Sequence, residues 1–271
     1  MRNFRKTQGR ETPAIAMADR MMSTATQTSS IHRRIADQIG TAILGGQRAA
    51  GSLLPKETEA SADLGVSRSA YREAVRMLIA KGLVESRPKI GTHVTNRRRW
   101  QVLDPDVLRW AFHSGPSVAF IQELFELRGI LEPHAAELAA RRRNVDHLTL
   151  MGHALAEMGR YGLGTEQGRA ADQRFHEEIL VATGNQALIA LSASIGAAIH
   201  WTTVFKYRSA NAPRDAMPDH RKLYAAIVDS DAAGAAQAAR ELLQLALQDT
   251  RVSLGAEIEE AGGKRMARKV R

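Results

Sequence analysis

The sequence predicts a mainly α-helical protein in two parts, a basic N-terminal domain with a short β-hairpin and an all-helical remainder. Apolar residues recur with helical spacing over most of residues 29–256, and strand-like segments flank a turn only within residues 83–94. Charge divides the chain similarly: residues 1–100 hold 18 Lys and Arg against 8 Asp and Glu, whereas residues 101–258 hold 15 against 19. A basic third joined to a mildly acidic remainder indicates a polyanion-binding domain attached to a second domain.

The composition excludes several classes of protein. The chain has 271 residues, enough for about two domains, and its hydrophobic content of 44% permits a sizeable core. It has no cysteine, which excludes a disulfide framework, a zinc site with thiolate ligands and a cysteine nucleophile. The longest weakly apolar stretch, residues 188–199, is too short to span a bilayer, and no basic-then-apolar leader opens the chain. We therefore expect a soluble, cytoplasmic protein.

The N-terminal elements follow the order helix, helix, helix, hairpin. Residues 1–28 are polar and lack periodicity, which predicts a disordered arm. The next elements are a helix with isoleucine at every fourth position, a short helix over residues 57–64, and a third helix that Ser67 caps and Gly82 ends. Two strand-like segments follow. This order predicts a winged helix-turn-helix domain over residues 29–95.

The rest of the chain is predicted to be helical. Residues 96–103 include three consecutive arginines and are predicted to be an exposed linker. Beyond them the periodicity is helical and no strand-like alternation occurs. The predicted helices cover residues 104–113, 117–142, 145–160, 165–183, 186–208, 216–230 and 232–256. Residues 104–256 therefore form an all-α bundle, which a basic tail over residues 257–271 follows.

The third helix has the pattern of a DNA-recognition helix. Arg68, Arg72 and Arg76 recur every four residues and lie within a narrow arc of one face, while the apolar residues occupy a separate arc that can pack on the preceding helices. In the major groove, arginine reads guanine and contacts phosphates. Three arginines alone are more typical of a solvated charged face than of a DNA-reading surface. The predicted turn, wing and positive charge balance favour DNA.

The same segments resemble the winged-helix signature of GntR-family transcription regulators. The resemblance is carried by residues 54–57, 64–68, 72–76, 82–84 and 91–94. It implies a set of DNA-binding residues on the recognition helix and in the wing: Ser67, Arg68, Arg72, Arg76 and His93. Among these, Arg68 and Arg72 match the family's base and phosphate contacts. Many members carry arginine directly after the glutamate that matches Glu57, but here the residue is Thr58, so one family contact is missing.

A second resemblance covers the helical part. Residues 126–133 and the alanine-rich helix after them are similar to the start of the FCD ligand domain, which defines the FadR-type branch of the GntR family. This implies an acid effector, with Arg128 as its bidentate partner and Arg251 as a further effector-binding residue. From spacing alone, a salt bridge between Arg128 and Glu132 is an equal alternative. Residues 100–110 resemble the subset of the galactonate-operon repressor, whose ligands are sugar acids.

A metal site is the other expectation for this domain. Asp172 and His176 lie four residues apart, a spacing that by itself favours an ordinary helix-surface pair. The resemblance implies instead that these two residues and His220 hold a divalent metal such as Zn²⁺, Ni²⁺ or Mn²⁺. Where the family often has a further histidine, this chain has Leu242, so metal binding is expected to be weaker or to depend on a carboxylate effector. His200 could substitute, although a lone histidine on an apolar helix is more often a core residue.

These features favour a ligand-responsive transcription repressor that binds a palindromic operator as a homodimer and is released by a small organic or sugar acid. Two-fold symmetry is expected because one short recognition helix reads too few bases to be selective. The alternative is a metal-dependent enzyme that uses Asp172, His176 and His220, but the sequence shows no acid–base or nucleophile set beyond these three. A nonspecific DNA-architectural protein is a third class, and the acidic helical bundle argues against it.

Overall fold

The computed structural model describes residues 31–208 and 213–269, with side chains up to residue 253. Contacts between residues divide the chain into two units, Met1–Gln101 and Val102–Arg271. The described residues are mainly helical and contain one two-stranded sheet, which confirms the predicted fold class. The arm predicted over residues 1–28 lies outside the described residues. None of the described helices is both long and apolar enough to cross a membrane.

The first unit has the winged helix-turn-helix order. Its elements are α1 over residues 31–44, α2 Glu57–Asp63, α3 Arg68–Ala80, β1 Val84–Arg87, β2 Gly91–Val94 and a 3₁₀ helix Arg97–Arg99. The two strands pair antiparallel, with Val84 opposite Val94. Between α2 and α3, Gly65 adopts a φ of 63°, which glycine does without steric strain. Helix α3 then begins at a cap, since the Ser67 hydroxyl accepts a hydrogen bond from the Ala70 N–H at 3.2 Å.

The core of the first unit lies under one face of α3. The buried apolar side chains come mostly from α1, α3 and residues 83–94, with Leu54 and Ala60 from the loop before α2 and from α2: they include Ile35, Ile43, Tyr71, Ala74, Val75, Leu78, Leu83, Val84 and Val94. Burial of this arc leaves the opposite arc of α3 exposed, as the helical spacing predicts.

Part of the exposed linker predicted over residues 96–103 is bonded to the first unit. Gln101 bonds to the end of α3, because its N–H donates to the Lys81 carbonyl at 3.0 Å and its side-chain amide donates to the Ala80 carbonyl at 2.9 Å. The indole N–H of Trp100 donates to Thr95 Oγ1 at 3.1 Å. These bonds attach the residues up to Gln101 to the first unit, so the segment that joins the units begins at residue 102.

The second unit is a bundle of eight helices among the described residues. They are α4 Pro105–His113, α5 Val118–Arg142, α6 Val145–Tyr161, α7 Glu166–Ala182, α8 Gln186–Ala190, α9 Ser192–Arg208, α10 Met217–Val228 and α11 Ala232–Lys269. Polar residues cap most of the N-termini: Asp104, Ser117, Asn144, Thr165 and Asn185. Helix α5 packs against α7 and α11, and α7 packs against α6 and α9. Large side chains such as Met151, Phe175 and Ile195 are fully buried between them.

Two predicted helices differ from the observed ones. The helix expected over residues 186–208 is interrupted at Leu191, whose N–H bonds three residues back to the Leu188 carbonyl and closes a tighter turn. Ser192, a residue type that favours helix N-termini, begins the next helix. The last helix continues to Lys269 instead of ending at residue 256, so the predicted basic tail is largely helical. Glu, Ala, Lys and Arg dominate this stretch, and they are strong helix formers.

Candidate functional site

Three of the predicted DNA-binding residues form one exposed face of α3. Arg68, Arg72 and Arg76 are exposed, and the opposite face is buried. Arg72 donates from Nε and Nη2 to the Glu57 carboxylate at 3.3 and 3.1 Å, and Arg76 pairs with Glu73 at 2.6 Å. Exposed pairs of this kind contribute little stability. A phosphate or a guanine can therefore compete for both guanidinium groups at small cost.

The other two predicted contacts, Ser67 and His93, have partners within the fold. The Ser67 hydroxyl caps α3, as described above. The register of the hairpin places His93 opposite Glu85, and the His93 Nε2 lies 2.8 Å from the Glu85 Oε1. The His93 side chain is only 14% exposed. His93 therefore takes part in a cross-strand pair in this structure, and its role in DNA binding stays a prediction.

Glu85 ties the wing to the segment that follows it. Its carboxylate accepts hydrogen bonds from Arg99, from Arg87 at 2.5 Å and from His93. The bond from Arg99, with those from Arg87 and His93, outweighs burial and lowers the pKa of Glu85 to about 2. The carboxylate is therefore ionised at neutral pH and links β1, β2 and the 3₁₀ helix.

The second unit contains a small, partly open cavity between α5, α7, α9, α10 and α11. Its lining includes the following polar or charged side chains, together with Leu242: Arg128, Asp172, His176, Thr202, Thr203, Lys206, Arg214 and His220. The free volume is about 30 Å³, enough for one or two water molecules, each of which needs about 10–15 Å³ on this measure. The cavity thus has room for an ion or a water molecule, and a larger ligand requires its walls to move apart.

The fold brings together the three predicted metal ligands, two from α7 and one from α10. Asp172 Oδ1 lies 3.0 Å from Nε2 of His220 and 3.6 Å from Nε2 of His176, and all three residues are buried. The candidate ligand atoms all lie within 4.8 Å of one another. Two ligands bound to one tetrahedral ion are about 3.3 Å apart when each bond is close to 2.0 Å. The observed separations therefore fit a shared divalent ion.

The second nitrogen of each histidine ring supports this fit. His220 Nδ1 lies 2.8 Å from the Ala216 carbonyl oxygen, and because a carbonyl only accepts, Nδ1 carries a proton. If the ring is neutral, Nε2 and the Asp172 carboxylate are both acceptors, so a proton or a metal cation must lie between them. His176 Nδ1 faces Glu132 Oε2 at 3.5 Å. A carboxylate behind the ring is the usual partner of a metal-binding histidine.

Electrostatics keep Asp172 ionised despite its burial. Burial alone would raise its pKa, but the hydrogen bond from His220 and the electrostatic interactions with His220, His176 and Lys206 outweigh burial and hold the pKa far below its usual range. Burial also lowers the pKa of His176, which favours the neutral imidazole that a metal requires.

Arg128 lines the cavity and has partners of its own. Its Nε donates to Glu132 Oε1 at 2.6 Å, and its Nη1 donates to Thr202 Oγ1 at 3.1 Å. The two charged side chains are 6% and 9% exposed. The Arg128–Glu132 salt bridge that the sequence offered as an alternative is therefore present. Arg128 also lines the cavity that contains the predicted metal ligands.

The cavity contains two cations that the sequence analysis missed, Lys206 and Arg214. Lys206 is buried, with Nζ 3.9 Å from Asp249 Oδ2, and Arg214 Nε lies 3.4 Å from the same oxygen. Burial lowers the pKa of Lys206. Lys206 could have been found from the sequence, because it is a lysine within a largely apolar predicted helix.

Three other expectations concern residues around the cavity. Arg251 is exposed and does not line it, because the lining residues of α11 recur every four positions up to Thr250, and the next residue points about 100° away. Leu242 does line the cavity and offers no ligand atom. His200 is not among the lining residues; its ring instead contacts Trp201, with centroids 5.0 Å apart.

A winged helix-turn-helix with an exposed arginine face, joined to a helical unit with a charged internal cavity, defines the class of transcription regulators that carry a ligand domain. Residues 31–94 match bacterial regulatory proteins of the gntR family, and residues 123–245 match the FCD domain. The chain belongs to the GntR family and to its branch with a C-terminal FCD domain.

Its relatives are transcription regulators. The galactonate operon transcriptional repressor of Escherichia coli (strain K12) is 32% identical over 212 residues, which cover 78% of this chain and 92% of that protein. The regulator Mce2R of Mycobacterium tuberculosis (strain CDC 1551 / Oshkosh) is 32% identical over 222 residues, 80% of this chain and 90% of that one. The solved structure of Lar from Listeria monocytogenes, at 17% identity, covers 82% of this chain and 96% of that one with a TM-score of 0.58, which shows a shared fold. The protein is therefore a transcription regulator and not an enzyme.

Proposed function

We propose that this regulator is a repressor that binds a palindromic operator as a homodimer in the cytoplasm and leaves it when a small organic or sugar acid binds the FCD domain. The observation that carries the proposal is the convergence of a metal-type donor set with buried cations in one cavity. The similarity to a repressor named for the galactonate operon supports a sugar acid as the effector.

The charges around the cavity favour joint binding of a metal and an acid. The buried or half-buried groups that line it or pair directly with its lining include three cations, Arg128, Lys206 and Arg214, and four carboxylates, Glu132, Asp172, Asp219 and Asp249. With both histidines neutral, the state that metal binding requires, the net charge is −1, which a cation offsets. A divalent ion changes it to +1, which a monocarboxylate neutralises. Asp172, His176 and His220 would hold the ion, which when bound supplies a Lewis-acidic site for carboxylate oxygens.

Release from DNA follows from the size of the cavity. A space of about 30 Å³ cannot admit a sugar acid, so effector binding must separate the helices that line it. A repacked bundle alters how two chains hold their recognition helices in a dimer. Specific binding requires both half-sites in register, so even a small displacement lowers operator affinity.

The metal part of the proposal is tested by elemental analysis of purified protein. We expect about one divalent ion per chain in the wild type and its loss in His176→Ala. His134→Ala is the matched control, because His134 is a histidine on α5 with 67% of its side chain exposed. Absence of metal from the wild type, or equal metal in the two variants, would contradict the site.

The effector part is tested by titrating the operator complex with galactonate and with galactose, which differ in the carboxylate. The charged cavity predicts release by the acid and none by the neutral sugar. Lys206→Met should weaken the response to the acid, because it removes a buried cation without adding a polar group. Release by galactose as well, or an unchanged response in Lys206→Met, would contradict recognition of the carboxylate in this cavity.

A further inference from the structure

Two residues at the cavity of the second unit hold buried polar atoms without hydrogen bonds. Within the described part of the chain, six buried side-chain nitrogen and oxygen atoms have no hydrogen-bond partner, and three of them are Nε and Nη2 of Arg214 and Oδ2 of Asp249. Nε of Arg214 lies 3.4 Å from Oδ2 of Asp249, but the two atoms do not form a hydrogen bond. Because buried polar atoms normally have partners, unbonded donors and an unbonded acceptor at one place indicate a ligand-binding position.

These groups come from three parts of the bundle. Lys206, on α9, and Arg214, just before α10, line the cavity. Asp249, on α11, pairs with both, and its Oδ2 lies 3.9 Å from Nζ of Lys206. Asp219 orients the guanidinium of Arg214, because its carboxylate accepts a hydrogen bond from Nη1. Lys206 also interacts electrostatically with Asp172. The unbonded atoms and the candidate metal ligands are therefore neighbours of the same ammonium group.

The balance of charge at this position favours a hydroxyl group over a second carboxylate. The positive charges of Lys206 and Arg214 are matched by the negative charges of Asp219 and Asp249. A ligand carboxylate would gain little net attraction here and would lie beside Asp249, and like charges at close range lower affinity. A hydroxyl group accepts a hydrogen bond from a guanidinium or ammonium group and donates one to a carboxylate, so it can satisfy both kinds of unbonded atom.

We propose that Arg214, Asp249 and Lys206 form a hydroxyl-recognition subsite, which selects an effector with one carboxylate and a hydroxylated chain over a dicarboxylate. This rests on the proposed function, in which the cavity opens to admit an acid whose carboxylate lies at the metal. Hydrogen bonds to ionised groups are stronger than neutral ones, which suits the subsite to specificity. Asp249 lies outside residues 123–245, which match the FCD domain, so the family match does not predict this subsite.

The test compares galactonate with galactarate, which share one carbon chain and differ at C6, where galactarate carries a second carboxylate in place of the hydroxyl-bearing carbon. Calorimetric titration of the purified full chain gives both affinities for the wild type, Asp249→Asn and Glu241→Gln. The wild type should bind galactonate about 100-fold more tightly, and Asp249→Asn should reduce this preference at least about tenfold, because it removes the charge that repels the second carboxylate. Glu241→Gln, which removes an exposed carboxylate from the same helix, should keep the wild-type preference.

The preference is a ratio measured on one protein, so a loss of folded material in a variant does not change it. Arg214→Met is a second measurement, and it should bind galactonate about tenfold more weakly at unchanged metal content, since it removes the two unbonded donors.

Equal affinity for the two acids in the wild type, or the wild-type preference in Asp249→Asn, would overturn the subsite and leave the proposed function intact, as would unchanged galactonate affinity in Arg214→Met. Water alone would then satisfy these atoms. Binding of neither acid by the wild type would refute the sugar-acid effector of the proposed function, and the subsite with it.

Discussion

Removing Arg128 should destabilise the second unit strongly, because it leaves Glu132 charged in the interior. The two side chains are 6% and 9% exposed and their nearest atoms are 2.6 Å apart. Loss of one partner of a buried pair costs about 3–5 kcal/mol. His176 Nδ1, 3.5 Å away, remains as a second partner for Glu132, so Arg128→Met should lie near the lower limit, about 3 kcal/mol. For a unit of this size that is a fall of about 6–12 °C in unfolding temperature.

Thermal and urea unfolding measure this loss against two reference variants. Arg141→Met removes an arginine from a pair on the same helix with the same four-residue spacing, but its side chain is 61% exposed, so it should cost under about 0.5 kcal/mol. The double variant Arg128→Met/Glu132→Met should recover most of the stability, since an apolar pair replaces a buried ionic one at little net cost. The reasoning is refuted if Arg128→Met is no less stable than Arg141→Met, or if the double variant is as unstable as the single one.

Three further predictions concern the first unit. Arg68→Ala should lower operator affinity by about 1–3 kcal/mol and relax base preference at one position, and equal binding to all operator variants in both proteins would contradict base recognition. Gly82→Ala should unfold the unit at a much lower temperature, because the added Cβ would overlap the Arg99 carbonyl oxygen. Gly46→Ala is the control, since Gly46 has a similar φ of 74° and an added Cβ there would have nothing within 4 Å. Equal losses of stability in the two variants would contradict the overlap. The low pKa of Glu85 predicts a stability contribution that is complete above pH about 4.5 and is lost as pH falls through about 2. Glu85→Gln should lack this part of the acid unfolding profile. The same acid unfolding profile in Glu85→Gln and the wild type would contradict the contribution of Glu85.

Periodicity and capping residues predicted most of the fold, because helix spacing and N-caps are local properties. The interruption at Leu191 depends on a single tighter turn, and the attachment of Trp100 and Gln101 depends on acceptors that only the folded unit presents. Sequence order alone could not show these features.

The cavity was predictable only in part. The spacing of Asp172 and His176 places them on one helical face, but their meeting with His220 depends on how α7 and α10 pack. Lys206 was missed because its burial depends on the packing of α9 against its neighbours. Arg251 was misplaced because one residue of shift along α11 changes the face of the helix.

The most direct test of the central proposal, that effector and operator binding oppose each other through the FCD cavity, is calorimetric titration of the metal-loaded protein with galactonate, in the presence and absence of operator DNA. Thermodynamic linkage requires that DNA weaken galactonate binding by the same factor by which galactonate weakens DNA binding. The account predicts a matched loss of about 5- to 150-fold in each direction. Equal galactonate affinity with and without operator would contradict it.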